Sequence, residues 1–177
     1  MKFTVYKGKY AFSGLFWPLL VLTSIPFVKN GLTALLLIQT GINACLIMIS
    51  FSDIAVKKIP LLYNTCLLVL GIAYQVNNSN LLLSMVYAIL IYATFEITNL
   101  YFKNKRTGKK VFGGSDSIYF ALSVLLLVEK AVWAILLSTI MQLIYKRTSK
   151  KKNTDYIMLG PFLAICIYTC MTISFYV

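Results

Sequence analysis

The sequence contains no histidine, and only five of its 177 residues are acidic. The absence of histidine excludes the usual zinc and haem sites and a Ser-His catalytic pair. The cysteines form no CxxC pair and lie in apolar segments, which indicates small core residues rather than disulfides or metal ligands. They are Cys45, Cys66, Cys166 and Cys170. We therefore predict no metal and no cofactor, and the few carboxylates become the main candidates for chemistry.

Charged residues of either sign are scarce. They make up 12% of the chain, against about 25% in an ordinary soluble domain. Hydrophobic residues make up 59%, and the mean hydropathy is +0.80. The remaining charge is unbalanced, with a formal net charge of +12. This composition excludes an ordinary soluble domain and indicates an integral membrane protein with basic loops.

The apolar residues fall into long segments, and about twenty such residues suffice to cross a ~30 Å hydrocarbon core as a helix. We predict helices over residues 10–28, 31–51, 61–76, 81–102, 116–145 and 156–177. The first is a retained helix rather than a cleaved signal, because no small-residue cleavage site is evident. Only Glu129-Lys130 interrupts the fifth segment, so that segment is either one long tilted helix or a hairpin of two short helices.

The distribution of lysine and arginine favours the hairpin, since positive residues prefer cytoplasmic loops. With a hairpin, the N-terminus and the loops 52–60, 103–115 and 146–156 lie on one side and carry three, two, five and five cations. The other side carries two of the seventeen. We therefore predict an all-α, polytopic membrane protein forming a single domain over residues 1–177. It has about seven transmembrane helices, or six if 116–145 is one helix, and its N-terminus is cytoplasmic.

This topology places Asp53 and Asp116 on the same predicted cytoplasmic face. A carboxylate at the edge of the hydrocarbon is unfavourable there, so it indicates a functional site by default. Either residue could instead simply end or begin a helix, where an aspartate complements the helix dipole. Two carboxylates brought together can hold one proton between them, one acting as base toward water while the other hydrogen-bonds a carbonyl. An aspartyl protease needs such a pair.

The residues around both aspartates form short motifs. Asp53 is followed six and seven residues later by Ile59-Pro60, and Gly113-Gly114-Ser115 directly precedes Asp116. A third motif, Gly160-Pro161-Phe162-Leu163, opens a late helix. In this order the motifs resemble the signatures of the type IV prepilin peptidases, the GxGD family of membrane aspartyl proteases. Ser115 stands where that family has glycine, and Ile118 stands where many relatives have lysine.

The resemblance implies a membrane-embedded aspartyl endopeptidase that removes a short leader from prepilin-like substrates at the cytoplasmic face of the cell membrane. Asp53 and Asp116 would be its catalytic pair. It also implies the compact form of the enzyme, without the CxxC-bearing domain that is linked to N-methylation in larger relatives. The residues expected to bind substrate or support the site are Pro60, Glu96, Gly113, Gly114, Ser115, Gly160 and Pro161.

Other interpretations stay open from the sequence alone. Glu96 lies about a turn and a half from the cytoplasmic end of its helix, where it either lines the site cavity or makes a polar helix contact. The chain could also be a small transporter or channel component whose carboxylates bind protons or cations, or an inactive assembly partner. The basic runs 103–110 and 146–152 fit orientation against anionic membrane lipid, and we expect no nucleic-acid partner.

Overall fold

A computed structural model describes residues 9–25, 34–56, 58–101, 114–148 and 159–176. This described part is helical, without a strand, which confirms the all-α prediction. The helices are α1 Lys9–Ser24, α2 Ala34–Val56, α3 Leu61–Asn77, α4 Leu81–Tyr101, α5 Gly114–Leu127, α6 Ala131–Thr148 and α7 Gly160–Tyr176. A short 3-10 turn, Val128–Lys130, joins α5 to α6.

Two helix boundaries differ from the sequence-based ones in a way that matters for the candidate site. We expected α2 to end at residue 51 with Asp53 beyond it, but α2 continues to Val56 and includes Asp53. That prediction was wrong because hydropathy treats a carboxylate as the end of an apolar helix, whereas Asp53 is buried against another element. Helix α7 begins at Gly160 rather than near residue 156, since Leu159 is not helical.

The chain leaves α5 at Val128, whose backbone φ of 51° cannot continue a right-handed helix. At the far end of α6, the ring of Tyr145 packs on that of Phe162 in the first turn of α7, with centroids 5.6 Å apart. That same turn of α7 also contacts the beginning of α5, through Tyr119 and Gly160. Helix α6 therefore returns to the end where α5 begins, as the predicted hairpin requires.

Apolar length and composition are consistent with a polytopic membrane protein. Within the described residues, α2, α4 and the stretch Gly114–Tyr145 are long and apolar enough to cross a membrane. Helix α3 and residues Gly160–Ile173 are shorter apolar helices. Large apolar side chains such as Leu82 and Leu100 on α4 are exposed, which suits a surface in contact with lipid. The number of membrane crossings and the cytoplasmic N-terminus stay predictions.

Helix α5 forms the centre of the bundle and packs against α3, α4, α6 and α7. Nearly every residue from Ser117 to Leu127 is buried, because the helix is apolar all round and can be covered on every side. Its last carbonyl groups, which lack intrahelical donors, accept hydrogen bonds from the buried Nε2 of Gln75 at 2.7 and 3.0 Å. A fixed central helix gives Asp116, in its first turn, a defined position.

Candidate active site

Asp53 lies in the last turns of α2 and is fully buried. Its Oδ2 accepts a hydrogen bond of 2.6 Å from the backbone N–H of Gly160, the first residue of α7. The first N–H groups of a helix have no intrahelical acceptor, and they sit at the positive end of the helix dipole. The start of α7 therefore supplies a donor to this buried carboxyl group, and it fixes the position of that group.

Glycine is required at position 160 for this contact. A Cβ atom built there would lie 2.8 Å from the Cβ of Asp53 and 2.9 Å from its Oδ2. Both distances are shorter than real Cβ contacts, so any side chain would push α7 and Asp53 apart. Pro161 follows in the first turn of α7, where its missing N–H removes no helical hydrogen bond. The Gly160-Pro161 motif is thus explained by the close approach of Asp53, which leaves no room for a side chain at position 160, and by the fit of proline to the first turn of a helix.

Tyr119 connects this contact to α5. Its side chain is fully buried, and its hydroxyl donates to the carbonyl oxygen of Gly160 at 3.5 Å. It lies near enough to Asp53 to interact with it electrostatically. Tyr119 follows Asp116 by three residues and so projects from the same side of α5. No motif pointed to Tyr119, because its contact with Gly160 joins residues 41 positions apart.

Asp116 is half-buried in the first turn of α5. The backbone directly before it is held by Asn64, whose Nδ2 donates to the carbonyl oxygen of Ser115 at 3.3 Å. Asn64 is itself buried in the first turn of α3. This bond ties the start of α3 to the start of α5 and so restrains Asp116. No motif pointed to Asn64, because its role depends on a neighbour 51 residues away in sequence.

The loop between α2 and α3 explains the spacing from Asp53 to Ile59-Pro60. The hydroxyl of Ser52 donates to the carbonyl oxygen of Lys58 at 3.0 Å, which closes the loop beside Asp53. Ile59 is buried in the core. Pro60 precedes α3, and its carbonyl oxygen accepts from the first-turn N–H of Tyr63 at 3.2 Å. The loop therefore anchors the end of α2 and the start of α3 at the same end of the bundle.

Glu96 lies on α4 and is half-buried. Its Oε1 accepts from the Nδ2 of Asn99 in the same helix at 3.4 Å. One residue earlier, the ring of Phe95 stacks on that of Phe120, with centroids 4.7 Å apart. This pairing brings the end of α4 to the start of α5, so Glu96 lies at the same end of the bundle as Asp116. Its contact with Asn99 fits a helix-stabilising role as well as a place beside the site.

The remaining predicted site residues are less constrained. A Cβ atom on Gly114 would meet nothing within 4 Å in the described part of the chain, so packing there does not require glycine. Gly113 lies outside the described residues. Across the described ranges no three histidine, cysteine, aspartate or glutamate side chains form a group that could hold a metal ion. The expectation of a metal-free mechanism stays a prediction.

Comparison with known proteins adds the deciding observation. The model of the type IV leader peptidase family matches residues 41–146, which is more than half of the chain. This chain belongs to the type IV leader peptidase family. It is therefore a leader-peptidase-type protease, and its apolar helices suggest that it resides in a membrane. No curated protein and no solved structure matches it significantly.

The family match includes Asp53, Asn64 and Asp116 but ends before α7. In this leader peptidase the start of α7 nevertheless completes the surroundings of Asp53, through the N–H of Gly160. The ends of α2 and α6 meet the starts of α3, α5 and α7 here; we call this the site end of the bundle. It combines one fixed, buried carboxyl group with a second carboxyl group in the first turn of the central helix.

Proposed function

We propose that this leader peptidase is an aspartyl endopeptidase that cleaves a short leader from prepilin-like proteins at the cytoplasmic face of the cell membrane. Asp53 and Asp116 form its catalytic pair. The observation that carries the proposal is the fully buried carboxyl group of Asp53, held by the N–H of Gly160 at the site end. A protein without a use for that group would not keep it buried among apolar helices, since burying it is unfavourable.

The pair performs hydrolysis by sharing one proton. The ionised member takes a proton from a water molecule, whose oxygen forms a bond to the carbon of the scissile carbonyl group. The protonated member donates a hydrogen bond to the carbonyl oxygen, where negative charge develops. The carbon–nitrogen bond then breaks, and the leaving amine takes a proton from the pair. Asp53 is suited to this work because its position is fixed before substrate arrives.

The predicted orientation supports cleavage at the cytoplasmic face. Fifteen of the seventeen lysine and arginine residues fall in the N-terminal segment and the loops 52–60, 103–115 and 146–156 of the sequence, and such residues favour the cytoplasmic side. A substrate with a leader and an apolar helix would lie in the membrane with its cleavage point at that surface. The family is that of leader peptidases, which supports a prepilin-like protein as the substrate.

The experiment is co-expression with prepilin-like proteins of the same organism. We expect intact-mass measurement to show a product shortened at its N-terminus when the wild-type chain is present. The full-length substrate should persist when both aspartates are replaced, as Asp53→Asn with Asp116→Asn. Glu129→Gln is the matched control, because Glu129 is exposed in the turn at the opposite end of the bundle. Full-length substrate with the wild-type chain, or trimming by the double variant, would contradict the proposal.

A further inference from the structure

A groove of about 340 Å³ runs along the bundle between α3, α4 and α5. Leu61 and Ile118 line it near the site end, and Ile72 and Leu125 line it further along α3 and α5. From Leu61 to Ile72 the groove follows about 16 Å of helix, or about three turns. Its walls are almost entirely apolar, and several of its lining side chains are exposed on the outside of the bundle.

Two polar residues, Thr65 and Asn64, line the groove near the site end. The hydroxyl of Thr65 donates to the carbonyl oxygen of Leu61 in the same helix at 3.0 Å, so its hydrogen bond is made within α3. The side chain of Asn64 is 1% exposed, and its Nδ2 donates a hydrogen bond to the carbonyl oxygen of Ser115. Its Oδ1 is buried and has no hydrogen-bond partner in the described part of the chain. Exchanging the nitrogen and oxygen of the Asn64 amide would not give the oxygen a donor, because the oxygen would then face the carbonyl oxygen of Ser115. An unpaired buried acceptor is unfavourable, so it marks a place where a donor is expected to arrive.

We propose that this groove docks the apolar helix of the substrate, and that Asn64 Oδ1 accepts a backbone N–H from the substrate segment leading to the scissile bond. This proposal rests on the proposed function. The groove is continuous with the candidate site. Of its lining residues, Asn64 is hydrogen-bonded to the residue directly before Asp116, and Ile118 lies two residues after Asp116. A substrate helix in the groove therefore directs its end toward the two aspartates.

The unpaired Oδ1 of Asn64 favours, as the occupant of the groove, a substrate helix with an attached extended segment rather than a lipid acyl chain. In hydrocarbon, a backbone that leaves its helix must find partners for its exposed N–H groups. Asn64 Oδ1 offers such a partner at the place where a substrate has to unwind before cleavage. A lipid acyl chain carries no donor and would leave this acceptor unpaired. The groove opens to the side, past Leu68, Ile89 and Tyr92, so a substrate can enter from the membrane.

Two adjacent residues of α4 provide a matched test by photocrosslinking. Ile89 and Leu90 are 62% and 57% exposed, but only Ile89 lines the groove. A photoreactive residue is placed at either position in the full-length Asp53→Asn protein, in phosphatidylethanolamine–phosphatidylglycerol vesicles. The probe is a synthetic peptide with a short basic leader and an apolar helix of about twenty residues. We expect about tenfold more peptide adduct from position 89. Equal labelling, or lipid adducts alone at position 89, would overturn the proposal.

Cleavage kinetics separate this proposal from the proposed function. Ile89→Trp fills the groove, so we expect kcat/KM for the same peptide to fall about tenfold. The rate for a peptide that stops shortly after the scissile bond should be unchanged, as should both rates in Leu90→Trp. If Ile89→Trp matches Leu90→Trp on both peptides, the groove proposal fails while the protease stands. If position 89 crosslinks the peptide but no aspartate is needed for cleavage, the protease fails while the groove stands.

Asn64 is tested by the same two peptides. Asn64→Leu removes the acceptor, so we expect KM for the long peptide to rise about tenfold with a smaller change in kcat. Asn77→Leu is the control, because Asn77 is exposed at the other end of α3, where its Nδ2 donates to the carbonyl oxygen of Ala73 in the same helix. A loss confined to kcat would assign Asn64 to restraining Asp116 alone and would overturn its role in binding substrate.

Discussion

Replacing Gly160 by alanine is the sharpest perturbation that the structure offers. The added Cβ would stand 2.8 Å from the Cβ of Asp53, and relieving it to an ordinary 3.4 Å contact takes a displacement of about 0.6 Å. The Cβ of Asp53 is attached directly to the backbone of α2, so no side-chain rotation removes the clash. Helix α7 must instead move away from α2, and the hydrogen bond of 2.6 Å between Gly160 and Asp53 lengthens with it.

The expected effect on activity is large relative to the size of the change. A catalytic group displaced by about 1 Å can lower a rate by about 100-fold, so we expect kcat to fall by roughly one to two orders of magnitude. KM should change little, because the groove that we assign to the substrate helix does not include Gly160. Overpacking should also lower the free energy of unfolding by about 1–3 kcal/mol.

The assay is leader removal from the synthetic peptide by purified protein in vesicles, with thermal unfolding measured in parallel. Gly41→Ala is the matched control, since the atoms nearest to its added Cβ belong to the flexible side chain of Leu70, at 3.1 Å, away from the site end of α2. We expect Gly41→Ala to retain near-wild-type kcat. If Gly160→Ala cleaved the peptide within about twofold of the wild-type rate, the reasoning about the position of Asp53 would be refuted.

Three further predictions concern topology, metal and Tyr119. In a variant without native cysteines, Asn78→Cys should be labelled from outside and Gly108→Cys from the cytoplasm, and labelling of both from one side would contradict the seven-helix topology. Cleavage should survive strong chelators, since no histidine is present, and activity lost to a chelator and restored by zinc would contradict a two-aspartate mechanism. Tyr119→Phe should lower the free energy of unfolding by about 0.5–1 kcal/mol, because the bond to Gly160 is long at 3.5 Å, and unchanged thermal unfolding would show that this bond does not contribute.

The sequence predicts the helices well where a proline or a polar turn marks the end of an apolar segment. Residues 61–76 and 81–102 were predicted, and the structure has Leu61–Asn77 and Leu81–Tyr101, with Pro60 and the polar turn after α3 as boundaries. The reversal near Glu129 was also predicted correctly from the distribution of charge. These features follow from local composition and from the cost of placing charge in hydrocarbon, and both can be read along the chain.

The surroundings of the site could be predicted only in part. The motif beginning at Gly160 identified a residue that does contact Asp53, but nothing in the sequence shows that its N–H is the donor. Tyr119 and Asn64 escaped prediction because each acts on a residue more than 40 positions away, and only the packing of helices brings them together. For the same reason the predicted α2 was too short. Local hydropathy cannot show that Asp53 is bonded by a group from a distant part of the chain, so the helix was ended before it.

If Asp53 and Asp116 act as one catalytic unit, the rate of leader removal by single and double variants shows it directly. Asparagine matches aspartate in shape but cannot serve as the base or share the proton. We predict that Asp53→Asn and Asp116→Asn each lower kcat by about 1000-fold or more with normal membrane insertion, and that the double variant is no slower than either single one. Near-wild-type cleavage by either single variant would contradict the account.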